Sequence, residues 1–342
     1  MEELGFGIIG CGVIAPWHVA GIKAARGARL AAVCDIIPEK AQEFAAKHGA
    51  PRWYVDYHEM LENPEIDVVC ICTPSGLHGE PTIAAAKAGK HVLCEKPLEV
   101  TREKMDAMIA ACRGAGVKLG GIFQRRTYPT IQAVRRMIQD GKFGKMVLGD
   151  AYLKYYRSPE YYKSAGWRGT WELDGGGALM NQGVHGIDEI LWLMGPVKSV
   201  FARCDHLVRD IEVEDTAVIL VEYESGAYGI IEGTTSVYPG MSTRVEVHGE
   251  LGTAIIDEAK ITTLKFLGEE VDAVASEADD TGVASDPRAI ATHGHEVLVQ
   301  DMVDAILEDR EPMIPGEEHR KAVDLILAIY ESARTRKEVY LS

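Results

Sequence analysis

The sequence predicts an α/β protein of two parts. An N-terminal doubly wound parallel sheet is followed by an α/β domain built on a large, open, mostly antiparallel sheet. Three observations lead there. About the first 120 residues alternate short, continuous apolar runs with helical patterns. After Gln124 the strand-like runs turn alternately apolar and polar. A glycine-rich turn joins the first apolar run to the first helix.

In chain order, residues 4–9, 29–35, 68–73, 91–95 and 118–123 read as strands. They are apolar without alternation, as strands buried on both faces are. Residues 18–25, 38–48, 57–62, 80–88 and 102–114 between them read as helices. That alternation implies a parallel sheet with helical crossovers. Next comes a helix at 129–139, ended by Asp140-Gly141. Strands are then expected at 145–156, 197–208, 216–224, 227–237, 243–249 and 252–257. Their polar alternation fits a sheet with one exposed face. A long helical insertion is expected at 177–194, an acidic loop at 267–287, and helices at 296–307 and 317–336. The domains are read as 1–123 and 124–342, with the C-terminal helices packing back on the first.

Bulk properties narrow the function. The 342 residues are 46% hydrophobic and 26% charged, ordinary for a globular protein. A net charge of −16 makes nucleic acid and anionic membranes poor partners. Met1–Leu4 has no basic n-region, so no secretory signal is expected. No apolar run approaches the roughly 20 residues of a membrane span. The seven cysteines are scattered and mostly inside strand-like runs, which suits reduced thiols in the cytoplasm. Cys70 and Cys72 share a strand face, but no second pair completes a metal set. His293 and His295 are weak evidence for a metal set, so no metal is expected there either.

The chemistry collects at strand ends. Gly10, Gly12 and Ala15 form a G-x-G-x-x-A turn that follows a strand and opens a helix, with Val13 and Ile14 inside it. Gly10 permits the tight turn, Gly12 lets backbone approach a pyrophosphate, and Ala15 allows close helix packing. The helix N-terminus offers N–H groups and partial positive charge to phosphates. Asp35 ends the second strand, followed by Ile36, and a carboxylate there binds ribose hydroxyls and repels a 2′-phosphate. This favours NAD over NADP, although Asp35 also sits where it could cap the next helix. Thr73, Pro74 and Ser75 end the third strand, where the Thr/Ser pair could hydrogen-bond a nicotinamide ribose, and His78 just beyond is either part of that site or a structural residue. Lys96, between Glu95 and Pro97, follows the fourth apolar run. Far downstream, Gly175–Gly177 precede a helical stretch on which Asn181 and His185 are i, i+4 and share a face. Leu179, Ile187, Ile190 and Leu191 would pack inward. Trp167 and Arg168 lie just upstream, suited to stacking on a polyhydroxylated ring or holding an anionic group.

Together these motifs resemble the Gfo/Idh/MocA oxidoreductases, over nearly the whole chain. The carriers are the N-terminal fingerprint, Thr73-Pro74, Glu95-Lys96-Pro97, Gln124-Arg125-Arg126, the glycine-rich helix ending at His185, and the helix at 295–306. The resemblance implies a Rossmann domain, an active site facing the second domain's sheet, and a secondary alcohol of a sugar, cyclitol or sugar derivative as substrate. It implies Lys96 near nicotinamide and substrate, His185 as general acid/base, and Glu95 and Gln124 near the nicotinamide half. Asn181 stands where the family often has Asp, so a carboxylate role there is lost, though an amide still binds a sugar hydroxyl. Relatives also include NAD-dependent glycosidases and non-catalytic dinucleotide-binding regulators. The partly apolar sheet face suggests a homodimer or homotetramer.

Overall fold

A computed structural model describes residues 3–269 and 292–341. Most of the stretch expected as an acidic loop lies outside the described residues. The chain divides into two compact units, 1–124 with 291–320, and 125–290 with 321–342.

The first unit opens as β1 (Leu4–Ile9), α1 (Ala15–Ala24), β2 (Ala28–Cys34), α2 (Pro38–His48), β3 (Trp53–Tyr54) and α3 (Tyr57–Leu61). It continues as β4 (Val68–Ile71), α4 (Gly79–Lys87), β5 (His91–Cys94), α5 (Arg102–Ala115) and β6 (Leu119–Gly121). The strands form one parallel sheet in the order β3-β2-β1-β4-β5-β6. Strand order reverses between β1 and β4, so their C-terminal ends flank a switch point where ligands bind in such sheets. β4 is buried along its length. Local signals set the helix ends. Pro16 and Pro38 occupy first turns, where a missing N–H costs nothing. Thr101 accepts the Lys104 N–H at the start of α5, and Gly116, at φ 68°, ends it.

The second unit begins with α6 (Pro129–Gln139), β7 (Met146–Lys154) and α7 (Pro159–Lys163). A π-helical turn, Ala178–Gly183, runs into α8 (Val184–Met194). β8 (Val197–Asp205), β9 (Thr216–Tyr223), β10 (Tyr228–Thr234), β11 (Arg244–Gly249), β12 (Gly252–Asp257) and β13 (Lys260–Phe266) follow. The chain ends with α9 (His293–Leu307), which belongs to the first unit, α10 (Gly316–Thr335) and β14 (Val339–Tyr340). The second sheet has the order β13-β12-β11-β7-β10-β9-β8-β14. It is antiparallel except for β7 and β10, which pair in parallel because β8 and β9 intervene in sequence. Burial alternates along β9: Ala217, Ile219 and Val221 are buried while Val218 and Leu220 are exposed. On neighbouring strands Phe201, Tyr228 and Ile230 are exposed too. Phe201 pairs with Leu220, and Leu220 with Ile230, so these side chains form one apolar row.

Two expectations need correction. The helix at 177–194 is not uniform, since its first six residues are π-wound. Leu191 is only half-buried, unlike Leu179, Ile187 and Ile190. The short β3, α7, β13 and β14 have no counterpart in the sequence reading, being too short or too polar for a period to register.

Candidate active site

The glycine turn shows why each small residue stands where it does. Gly10 has φ 96°, and a Cβ there would lie 2.6 Å from the Cys72 carbonyl oxygen. Gly12 has no such constraint, because a Cβ on it would meet no protein atom within 4 Å. The space above Gly12 is therefore free for a ligand's phosphates beside the α1 N-terminus. The Asp35 carboxylate accepts two backbone N–H groups. Its Oδ2 accepts the Cys11 N–H at 3.0 Å, tying down the turn, and its Oδ1 accepts the Ile37 N–H at 3.0 Å just before α2. Ile36 is 84% exposed beside it and Val13 59%. Burial, with Asp35 nearby, pushes the Cys11 thiol up to about 12, which disfavours the reactive thiolate.

The ends of β4 and β5 come next. The Thr73 hydroxyl donates to the Leu77 carbonyl at 3.0 Å, and Ser75 is buried. His78, expected near the cofactor, is buried and braces two loops: Nδ1 lies 2.8 Å from the Pro97 oxygen and Nε2 3.0 Å from the Thr73 oxygen. Burial lowers its pKa, against the pull of those carbonyls. Lys96 sits half-buried directly after β5. Glu95 turns its carboxylate inward, between His18 of α1 and His295 of α9, while its Oε2 accepts the Lys96 N–H at 3.1 Å. Burial would raise the Glu95 pKa, but the two imidazole bonds hold it well below the usual carboxylate range. Gln124 is buried as well.

In the second unit, close backbone approaches explain the glycine run. A Cβ on Gly177 would lie 1.9 Å from the Glu214 carbonyl oxygen. The Glu214 side chain accepts the Gly177 N–H at 2.9 Å, the Leu179 N–H at 2.8 Å and the Tyr330 hydroxyl at 2.9 Å. This carboxylate caps the π-helical turn that leads to His185. Burial pushes its pKa up to about 7. π-turns recur at functional sites. Asn181 donates to the Asp174 carboxylate and accepts from Gln182 at 3.0 Å. Gln182 also donates to the Tyr161 hydroxyl at 2.7 Å and accepts from the Arg157 guanidinium at 2.8 Å. The Arg168 guanidinium donates to the Tyr161 hydroxyl and lies 4.2 Å from the Tyr161 ring centre and 4.6 Å from that of Trp167.

The structure thus gathers Gly10, Gly12 and Asp35 at one turn, and Thr73, His78, Glu95 and Lys96 around one sheet edge. Trp167, Arg168, Asn181 and His185 lie around one helix start. Sequence reasoning missed His18, Asp174, Gln182 and Glu214, and it set His295 aside without its bond to Glu95. His18 carried a weak signal, three residues past Ala15 on α1. Among the described residues no helix is long and apolar enough to cross a membrane.

Comparison with known proteins fits this geometry. Residues 4–122 match the model for the oxidoreductase family with an NAD-binding Rossmann fold, and residues 131–255 that for the GFO/IDH/MocA C-terminal domain. The chain is 31% identical to myo-inositol 2-dehydrogenase of Thermotoga maritima over 78% of its length and 79% of that protein's. It is 29% identical to D-glucoside 3-dehydrogenase of Escherichia coli, over 98% of this chain and 96% of that one. The WlbA dehydrogenase of Bordetella pertussis, solved with NADH and UDP-GlcNAcA, is 35% identical, with a TM-score of 0.90 over 100% of this chain and 99% of that one. The fold and site define an NAD-dependent oxidoreductase. The chain belongs to the Gfo/Idh/MocA family, among its sugar and cyclitol dehydrogenases.

Proposed function

We propose that this enzyme oxidises a secondary alcohol of a sugar, cyclitol or sugar derivative, with Lys96 orienting the reacting oxygen and His185 moving its proton. Bound NAD supplies the hydride acceptor at nicotinamide C4. The observation that carries the reading is the placement of Lys96, which leaves β5 at the ligand-binding edge of a parallel sheet with its backbone N–H held by Glu95. Its ammonium favours the developing alkoxide. An imidazole, with its ordinary pKa near neutrality, suits the task of taking the hydroxyl proton. Asp35 takes the adenosine ribose hydroxyls, and Ile36 offers apolar surface beside them. Gly12 leaves room for the pyrophosphate, and Val13 and Ile14 complete the turn around it. Thr73, Pro74, Ser75 and Gln124 line the nicotinamide side.

Substrate contacts fall to Asn181, Trp167 and Arg168. The Bordetella relative is described with a nucleotide-linked sugar acid. Arg168, stacked between two rings, suits a carboxylate or phosphate, so acidic and nucleotide sugars belong beside neutral sugars and inositols in the substrate panel. We also place the protein in the cytoplasm, as a homodimer or homotetramer joined through the second sheet.

The test is NAD reduction across that panel, then Lys96→Ala and His185→Ala on the best alcohol. Each variant should lose about 10²–10⁴-fold in kcat. If both keep near-normal kcat, the mechanism is wrong. NADP matching NAD in kcat/KM would remove the role given to Asp35.

A further inference from the structure

Three buried ionisable side chains of the first unit converge immediately before Lys96, and of these only Glu95 enters the scheme above. The Nε2 atoms of His18 and His295 lie 2.9 and 3.0 Å from the same oxygen of Glu95. The other oxygen holds the Lys96 N–H. Exposure is 0% for His18, 5% for Glu95 and 1% for His295. The two imidazoles meet because α1 and α9 cross closely at Gly21, where a Cβ would lie 2.9 Å from Val299 Cγ2 and 3.0 Å from the His295 carbonyl.

Such a set resembles a divalent-metal site. A metal-bound imidazole, however, normally passes its second N–H to an acceptor. Here the Nδ1 atoms of both histidines are buried without a hydrogen-bond partner. Hydrogen bonding explains this better. Each ring donates Nε2–H to the carboxylate and leaves Nδ1 bare, which avoids an orphaned buried donor.

We propose that His18, Glu95 and His295 are a positioning unit for Lys96. Their bonds fix a buried carboxylate in one orientation, and that carboxylate fixes the first backbone atom of the lysine. His78 lies 2.8 Å from the following Pro97 carbonyl oxygen. The cofactor turn is anchored separately, by the Cys11 N–H on Asp35 and the Gly10 N–H on the Cys34 carbonyl at 2.8 Å. Loss of the unit should therefore misplace the lysine and spare dinucleotide binding. The inference rests on the role assigned to Lys96.

The experiment compares Glu95→Gln, His295→Phe and His295→Gln with Lys96→Ala in the full-length protein. It measures NADH Kd by fluorescence, melting temperature, metal content, and kcat and KM on the best panel alcohol. Glu95→Gln and His295→Phe should lower kcat about ten- to a hundredfold. Substrate KM and NADH Kd should stay within about threefold. His295→Gln, whose amide can restore an N–H near the Nε2 position, should recover most of the rate. Wild-type kcat in Glu95→Gln overturns the proposal. So does a joint fall in kcat, NADH affinity and melting temperature, which marks a general loss of structure. Stoichiometric metal in the wild type that Glu95→Gln loses also overturns it. If Lys96→Ala is inactive and Glu95→Gln is not, only this inference fails. If Lys96→Ala turns over normally, the lysine assignment fails and this inference with it.

Discussion

The Asn181 side-chain amide donates to one oxygen of the Asp174 carboxylate, and the Gly169 N–H donates to the other at 2.8 Å. A carboxylate thus stands one hydrogen bond away from the position where the family often has Asp. Asn181→Asp would press two carboxyl groups together, with Asp174 itself only 1% exposed. One of the pair would then hold its proton to a higher pH in the folded state than in the unfolded one. The folded state is favoured while that proton is bound and loses the advantage as pH rises. The melting temperature of the variant should fall below wild type by more at pH 8 than at pH 5. A gap that does not depend on pH would refute the contact.

Gly10 and Gly12 should respond oppositely to the same added methyl. Gly10→Ala forces a side chain into a left-handed conformation and against the Cys72 carbonyl. It should cost about 1–3 kcal/mol of stability. Gly12→Ala meets no protein atom, so its melting temperature should stay near wild type while NADH binding weakens by about tenfold or more. Denaturation and fluorescence titration of both variants separate the two effects.

Glu214 should make stability depend on pH. Its folded pKa of about 7 stands above the ordinary 4.5 because burial penalises the charge. The folded state therefore binds the proton more tightly, and stability falls as pH rises from about 4.5 to 7, then levels. A shift of this size corresponds to about 3 kcal/mol. Glu214→Gln removes the titration, so urea unfolding at pH 5, 6, 7 and 8 should show a shallower decline than wild type. An equally steep decline would place the proton elsewhere, with Glu189, also raised to about 7, the next group to test.

The apolar row on the second sheet should be an assembly surface. Leu220 is 55% exposed, in register with Phe201 and Ile230. Leu220→Glu places a charge in the middle of that row and should shift the mass in light scattering toward the 37.4 kDa protomer. An unchanged oligomer would move the interface off this face.

Much of the first unit was legible because its strands are buried on both faces, so apolar runs such as Val68–Ile71 stand out from polar helices. The glycine turn and Asp35 were legible because local backbone chemistry demands those residue types. Long-range contacts left no such trace. The π-helical turn at Ala178–Gly183 is capped by Glu214, 35 residues from Leu179. His18 and His295 sit inside helices whose periodicity reads the same with or without Glu95. The sheet face of the second unit was readable as alternation, but the parallel pairing of β7 with β10 depends on where the intervening strands go.

The bond between His295 and Glu95 spans 200 positions, and that has a consequence for synthesis on the ribosome. The strand carrying Glu95 emerges long before its second imidazole is translated. Until α9 is made, the nascent Rossmann unit holds a carboxylate with one of its two imidazole donors and an α1 surface with no cover at Gly21. Seating of Lys96 by the complete unit therefore arrives near the end of translation. A gene fragment stopping at residue 123 should yield aggregation-prone chains with α1 uncovered at Gly21, and recombination that preserves the lysine's support must carry both stretches of coding sequence together.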